Sequence, residues 1–164
     1  MLMKNYTYLK DGFEGKLYDA QNGDDRLLIV IQGLKGLELP EKYAELFSAK
    51  GYSTLALQYY GAEGQPSDMR AIPLEQFQTA IDCLKAHDNG RFKRFGIYGN
   101  SKGAGMALLA ASVVPDLSLV IAASSSDTSC RAPARKRTIP ARPWFLSTVR
   151  ISPMCLPSMF FPTS

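Results

Sequence analysis

The chain has 164 residues, 46% hydrophobic and 21% charged, the balance of one globular domain rather than of a disordered or fibrous chain. Three cysteines without C-x-x-C spacing and a single histidine, His87, exclude a disulfide scaffold, a cysteine zinc site and a histidine-rich metal centre, and they suit a reducing cytoplasm. The formal charge is +4, but positions 1–123 hold 13 of the 19 basic and 14 of the 15 acidic residues, so the excess lies beyond them and no nucleic-acid partner is expected.

Taken in order, residues 1–10 show no apolar core of a secretory signal, and no run in the chain approaches the ~20 apolar residues that span a bilayer. Residues 13–20 read as a short strand, followed by the turn signal Asn22-Gly23-Asp24-Asp25. Arg26–Gln32 (RLLIVIQ) is a continuous apolar run of the kind buried on both faces of a parallel sheet. Gly33-Leu34-Lys35-Gly36 is a loop. Pro40 then opens a helix carrying Tyr43, Leu46 and Phe47 at i, i+3, i+4 spacing, and Gly51 closes it. Residues 52–59 (YSTLALQY) form a second buried strand, and a Gly/Pro/Ser-rich loop occupies 61–68. A helix from Pro73 presents Leu74, Phe77, Ile81 and Leu84 as one stripe and ends at Lys85, His87 and Asp88. Residues 92–98 form a third strand, 101–114 a small-residue helix stopped by Pro115, and Leu117–Ala123 a fourth buried strand. Alternating strands and helices predict an α/β protein with a mostly parallel sheet.

Between the third strand and its helix stands Gly99-x-Ser101-x-Gly103. Such a pattern arises by chance in about one chain in ten of this composition, so its context carries the weight. A strand enters and a helix leaves, the arrangement of a nucleophile elbow. The elbow glycines Gly99 and Gly103 relieve a turn in which side chains would collide, and Ser101 is expected in a strained conformation. The backbone N–H of Lys102, at the first helical turn, is one expected oxyanion donor, and that of Leu34 in the preceding glycine loop is a second. Alternative readings are a serine capping a helix and a tight turn with no ligand role. Lys35 and Lys102 read either as phosphate or coenzyme A contacts or as solubilising surface.

The run YGNSKGAGMALLAAS (98–112), with ALQYY (56–60) and IPLEQF (72–77) upstream, resembles the C-terminal catalytic domain shared by acyl-CoA thioesterases and bile-acid-CoA:amino-acid N-acyltransferases. That domain is an α/β-hydrolase related to the dienelactone hydrolases. The resemblance covers roughly residues 13–123 and implies a sheet with helices on both faces. It also implies a serine or cysteine nucleophile that forms an acyl-enzyme from a small-molecule acyl thioester or ester, with no cofactor. Ser101 at the nucleophile position favours hydrolysis over acyl transfer to an amino acid.

The α/β-hydrolase order is Ser, acid, His. After Ser101 no histidine follows, and the only acids are Asp116 and Asp127. His87 precedes the third strand, so it is expected roughly 20 Å from Ser101 at the strand's other end, as a surface helix-end residue. From Ser124 onward there are six prolines, six basic residues and no glycine. The chain therefore divides into a partial α/β-hydrolase domain, 1–123, truncated after about the fourth to sixth strand, and a Pro/Ser/Arg-rich tail, 124–164. The tail is read as disordered or out-of-frame, with a basic arm as the alternative. The expected function is a thioester or ester hydrolase lacking its triad histidine and acid, and the alternative is a non-catalytic acyl- or nucleotide-binding domain.

Overall fold

The computed structural model describes residues 2–124. Asp127 and the division at residue 124 bear on residues outside the described ones. The elements in chain order are β1 (Leu2–Tyr6), α1 (Tyr8–Asp11), β2 (Glu14–Asp19), β3 (Arg26–Gln32), α2 (Glu38–Ala49), β4 (Ser53–Gln58), α3 (Glu75–Ala86), a 3-10 turn (His87–Gly90), β5 (Arg94–Asn100), α4 (Lys102–Val113) and β6 (Leu117–Ala123). They form one six-stranded sheet in the order β1-β2-β4-β3-β5-β6. The strands β4, β3, β5 and β6 run parallel; β2 pairs antiparallel with β4, and the edge strand β1 pairs antiparallel with β2.

The period-2 side-chain alternation of the strands splits the core in two. Leu27, Ile29 and Ile31 of β3, with Leu55 and Leu57 of β4 and Phe95 and Ile97 of β5, pack against Phe77, Ile81 and Leu84 of α3 and Ala107 and Ala110 of α4. Each buried leucine, isoleucine or phenylalanine there contributes roughly 2 kcal/mol of transfer free energy. On the opposite face Tyr18 and Ala56 meet Ala44 of α2. The Tyr98 ring of β5 lies 5.4 Å from Tyr43 and 5.5 Å from Phe47, tying α2 to the sheet. Helices therefore cover both faces, and β3 and β5 are interior strands.

The structure differs from the expectations of the sequence in one added strand, in element boundaries and in the setting of His87. The edge strand β1 has no apolar alternation, and only Tyr6 is buried. Its conformation is imposed by pairing with β2 from Leu2↔Asp19 to Tyr6↔Gly15, because context outweighs propensity in strands. Helix α2 begins at Glu38, two residues ahead of Pro40. The proline is tolerated in the first turn, where amides have no helical acceptor. Strand β5 begins at Arg94 rather than Phe92, since the N–H groups of Lys93 and Arg94 donate to the Asp25 carbonyl and the ladder opens at Arg26↔Arg94. His87 is not an open surface residue. Its ring stacks on Phe92, and its Nε2 lies 4.0 Å from Asp19 Oδ2.

That aspartate centres a polar cluster at the amino ends of the parallel strands. Asp19, only 2% exposed, accepts hydrogen bonds from Arg91, from Ser53 Oγ at 3.0 Å and from the Gln21 N–H at 2.9 Å. Burial alone would raise its pKa. The bonds from Arg91, Gln21 and Ser53, with the Arg91 charge, outweigh burial and hold it below the ordinary carboxylate value.

Candidate active site

At the opposite, carboxyl ends of the strands the chain turns from β5 into α4 through Ser101. This residue has φ 57 and ψ −126, a backbone conformation that non-glycine residues rarely adopt and that costs on the order of 1–3 kcal/mol. It is the N-cap residue of α4, but its hydroxyl makes no capping bond. The reading of a serine that merely caps a helix therefore lacks its defining contact. Ser101 is exposed, and its amide is committed to the Ala123 carbonyl of β6 at 3.0 Å.

The surroundings of Ser101 explain its glycines. A Cβ built on Gly99 would stand 2.2 Å from the Gly103 carbonyl oxygen and 2.8 Å from Ala107 Cβ. One built on Gly103 would stand 2.9 Å from the Gln32 carbonyl carbon. Only bare backbone allows α4 to sit this close to β5 and to the end of β3. The loop after β3 closes from the other side, where a Cβ on Gly33 would lie 2.6 Å from Lys102 Cβ and 3.0 Å from Lys102 N. Gly33 is thus pressed against the first residue of α4. The chain neighbours Leu34 and Ser101 flank that contact, and the Leu34 side chain stands out in solvent. As a first-turn residue, Lys102 presents an N–H with no acceptor inside its own helix.

The loop is also held from β4. Tyr60 O–H donates to the Gly33 carbonyl at 3.2 Å, and the Lys35 stem lies against Gly61, where a Cβ would fall 2.7 Å from Lys35 Cγ. The sequence reading does not single out Tyr60. Its one signal is a hydroxylated aromatic at the end of a buried strand, and the partner is a main-chain oxygen that no side-chain pattern reveals.

Other candidates lie elsewhere. Asp116, just ahead of β6, is committed to α3 through Lys85 at 2.7 Å and Gln78 at 2.7 Å. His87 belongs to the amino-end cluster, and about seven strand residues separate the two ends of β5, roughly 20 Å. Two shallow depressions, one lined by Leu74, Gln78 and Val113 and one by Leu39, Tyr43 and Leu46, include neither Ser101 nor Leu34. The candidate site is an open turn. Among the described residues no group of three or more histidine, cysteine, aspartate or glutamate side chains is placed to hold a metal ion, and no helix is long and apolar enough to cross a membrane.

A family model described as "BAAT / Acyl-CoA thioester hydrolase C terminal" matches residues 72–155, half of the chain. The chain belongs to that family. The matched stretch contains α3, β5, the Ser101 turn, α4 and β6. Acyl-coenzyme A thioesterase 1 of Homo sapiens is 32% identical over 88 residues, which are 54% of this chain and 21% of that protein. Acyl-coenzyme A thioesterase 3 of Mus musculus is 31% identical over 108 residues, 65% of this chain and 25% of that protein. The chain therefore spans about a fifth to a quarter of the length of these relatives. Among solved structures, the α/β hydrolase GrgF of a Penicillium species superposes with a TM-score of 0.55 at 23% identity. That match covers 76% of this chain and 45% of GrgF and shows a shared fold.

Proposed function

We propose that this chain carries the nucleophile half of a serine hydrolase acting on small-molecule acyl thioesters or carboxylic esters. The carrying observation is the positive φ of Ser101 at a strand-to-helix turn, combined with a hydroxyl that caps nothing. In this reading Ser101 Oγ attacks the substrate carbonyl carbon. The carbonyl oxygen takes up negative charge and is met by the N–H groups of Leu34 and Lys102. The tetrahedral intermediate collapses by breaking the C–S or C–O bond, the thiol or alcohol departs with the electron pair, and the acyl group stays on Ser101. Water then attacks the acyl-enzyme and releases the carboxylic acid.

The Ser101 proton needs an acceptor. The sequence holds one histidine, and His87 sits with Asp19 and Phe92 at the far end of the sheet. In this reading the 164 residues supply no imidazole to Ser101, the proton passes to solvent, and turnover is residual. Triads stripped of a member keep ~10³–10⁴-fold acceleration over water from the oxyanion hole and binding. Family membership and the thioesterase relatives support the substrate class. The free Cys83 accords with a reducing compartment, which we read as cytoplasmic.

The test is intact-mass detection of an acyl adduct after mixing the chain with a short activated acyl thioester. A slowly formed adduct mapping to Ser101, absent in Ser101→Ala, is expected. A steady-state rate typical of enzymes, ~1–10³ per second, overturns the incomplete-triad reading. Reversible thioester binding with no adduct would instead favour a non-catalytic ligand-binding domain.

A further inference from the structure

We propose that Tyr60 is a positioning residue that aims and polarises the Gly33–Leu34 peptide, so that the Leu34 N–H is presented to the oxygen charged during attack by Ser101; this rests on the hydrolase reading above. The Gly33 carbonyl and the Leu34 N–H belong to one peptide group. All described peptide bonds are trans, and in a trans peptide the C=O and N–H point in opposite directions. The 3.2 Å bond from Tyr60 O–H to Gly33 O therefore also sets the direction of the Leu34 N–H. Gly33 cannot retreat toward α4, because its Cα is already pressed on Lys102.

Tyr60 is itself held firmly. It is 8% exposed, its ring centroid lies 5.3 Å from that of Tyr59, and its carbonyl accepts a bond from Gln58 Nε2 at 2.8 Å. Gln65 Nε2 braces the Gln58 carbonyl at 2.8 Å and Gln76 Oε1 at 2.9 Å. Gln76 Nε2 in turn bonds the Tyr59 carbonyl at 3.0 Å. Three glutamines thus fix the end of β4 from which the phenol reaches across. Burial raises the Tyr60 pKa, so the group stays a donor throughout the neutral range. A hydrogen bond to a peptide oxygen draws electron density away from the same peptide's N–H and strengthens it as a donor. Loss of one oxyanion donor costs about 10²–10³ in rate; loss of its aim alone should cost about tenfold.

The experiment uses the full chain and a p-nitrophenyl alkylphosphonate, which forms a covalent adduct with a reactive serine and places an oxyanion where the acyl intermediate would have one. Tyr60→Phe removes only the hydroxyl. The limiting rate of adduct formation is expected to fall about tenfold while the half-saturating concentration stays within twofold. A loosened fold would instead move both values or shrink the reactive fraction. In the ¹⁵N spectrum the Leu34 amide is expected to shift upfield in Tyr60→Phe, while β6 amides hold their positions. Unaltered labelling in Tyr60→Phe, with Ser101→Ala unlabelled, overturns the role of Tyr60 and leaves the hydrolase reading standing. An unmoved Leu34 resonance overturns the polarisation. Labelling of Ser101→Ala at the unsubstituted rate overturns the hydrolase reading itself, and this proposal with it.

Discussion

The two ends of the parallel sheet treat polar groups in opposite ways. At the amino end, Asp19 is surrounded by Arg91, Ser53, the Gln21 amide and, slightly farther off, His87. At the carboxyl end, Ser101 is exposed, sits at positive φ and caps nothing. Ser53 and Ser101 are the same side chain under two regimes. One is fully buried and donates to a carboxylate, so its hydroxyl is spent on holding strands together. The other is held by its backbone, through the Ala123 carbonyl and the glycine contacts, and its hydroxyl makes no capping bond. The serine, histidine and aspartate that cluster in space, Ser53, His87 and Asp19, lie at the end of the sheet opposite the Ser101 turn.

The contrast can be broken most decisively at Ser101. Ser101→Ala should abolish the acyl adduct altogether, because the adduct forms on its hydroxyl oxygen, with the thermal midpoint nearly unchanged; adduct mass persisting in the variant would reverse the comparison. At the amino end, Asp19→Ala removes the buried carboxylate on which Arg91, Ser53 and the Gln21 amide converge and should cost about 3 kcal/mol in urea unfolding, while folded protein still labels at Ser101 at the same rate. A loss of labelling in folded Asp19→Ala would show that the ends are coupled. Gly99→Ala forces a Cβ against the Gly103 carbonyl and should cost roughly 1–3 kcal/mol by overpacking. Unlike Asp19→Ala, it should also slow labelling, because it moves the turn.

A milder probe is pH. Asp19 and Glu41 both have folded pKa values below their ordinary ones. For Glu41, burial opposes the shift, and hydrogen bonds from Lys16 and Tyr18 outweigh it. A depressed carboxylate contributes stability that is present above the unfolded pKa, ~4, and is lost as pH falls through the folded value. The urea midpoint should therefore hold between pH 5 and 7 and drop below pH 4, with a shallower drop in Asp19→Asn. The smallest effect is expected for His87→Ala: labelling at Ser101 within twofold of the unsubstituted chain. A large loss would place His87 in the chemistry after all.

Patterns that repeat along the chain were the legible part of this molecule. The apolar run of β3 and the stripe Phe77, Ile81, Leu84 of α3 are visible because burial on two faces or on one leaves a period in the residues themselves. Gly99-x-Ser101-x-Gly103 is legible for the same reason, since its steric demand is local. What escaped is what distant residues decide together. Edge strand β1 is ordered by β2 rather than by its own residues. Asp19 and Arg91 meet across 72 positions, and Tyr60 reaches a main-chain oxygen 27 residues earlier. Neither partner in such a pair carries a pattern that names the other.

The bond from the Ser101 amide to the Ala123 carbonyl also says how short a transplantable version of this turn can be. A designer grafting the motif into another scaffold would be tempted to copy β5, the five-residue signature and α4, and to stop at Val113. That excerpt would hold the glycines and lose the anchor, because the amide of the serine is moored to the last residue of the following strand. The β3 end, into which Gly103 packs, would be missing as well. The working module is therefore three neighbouring strands wide, β3, β5 and β6, and its parts are collected from residues nearly a hundred positions apart.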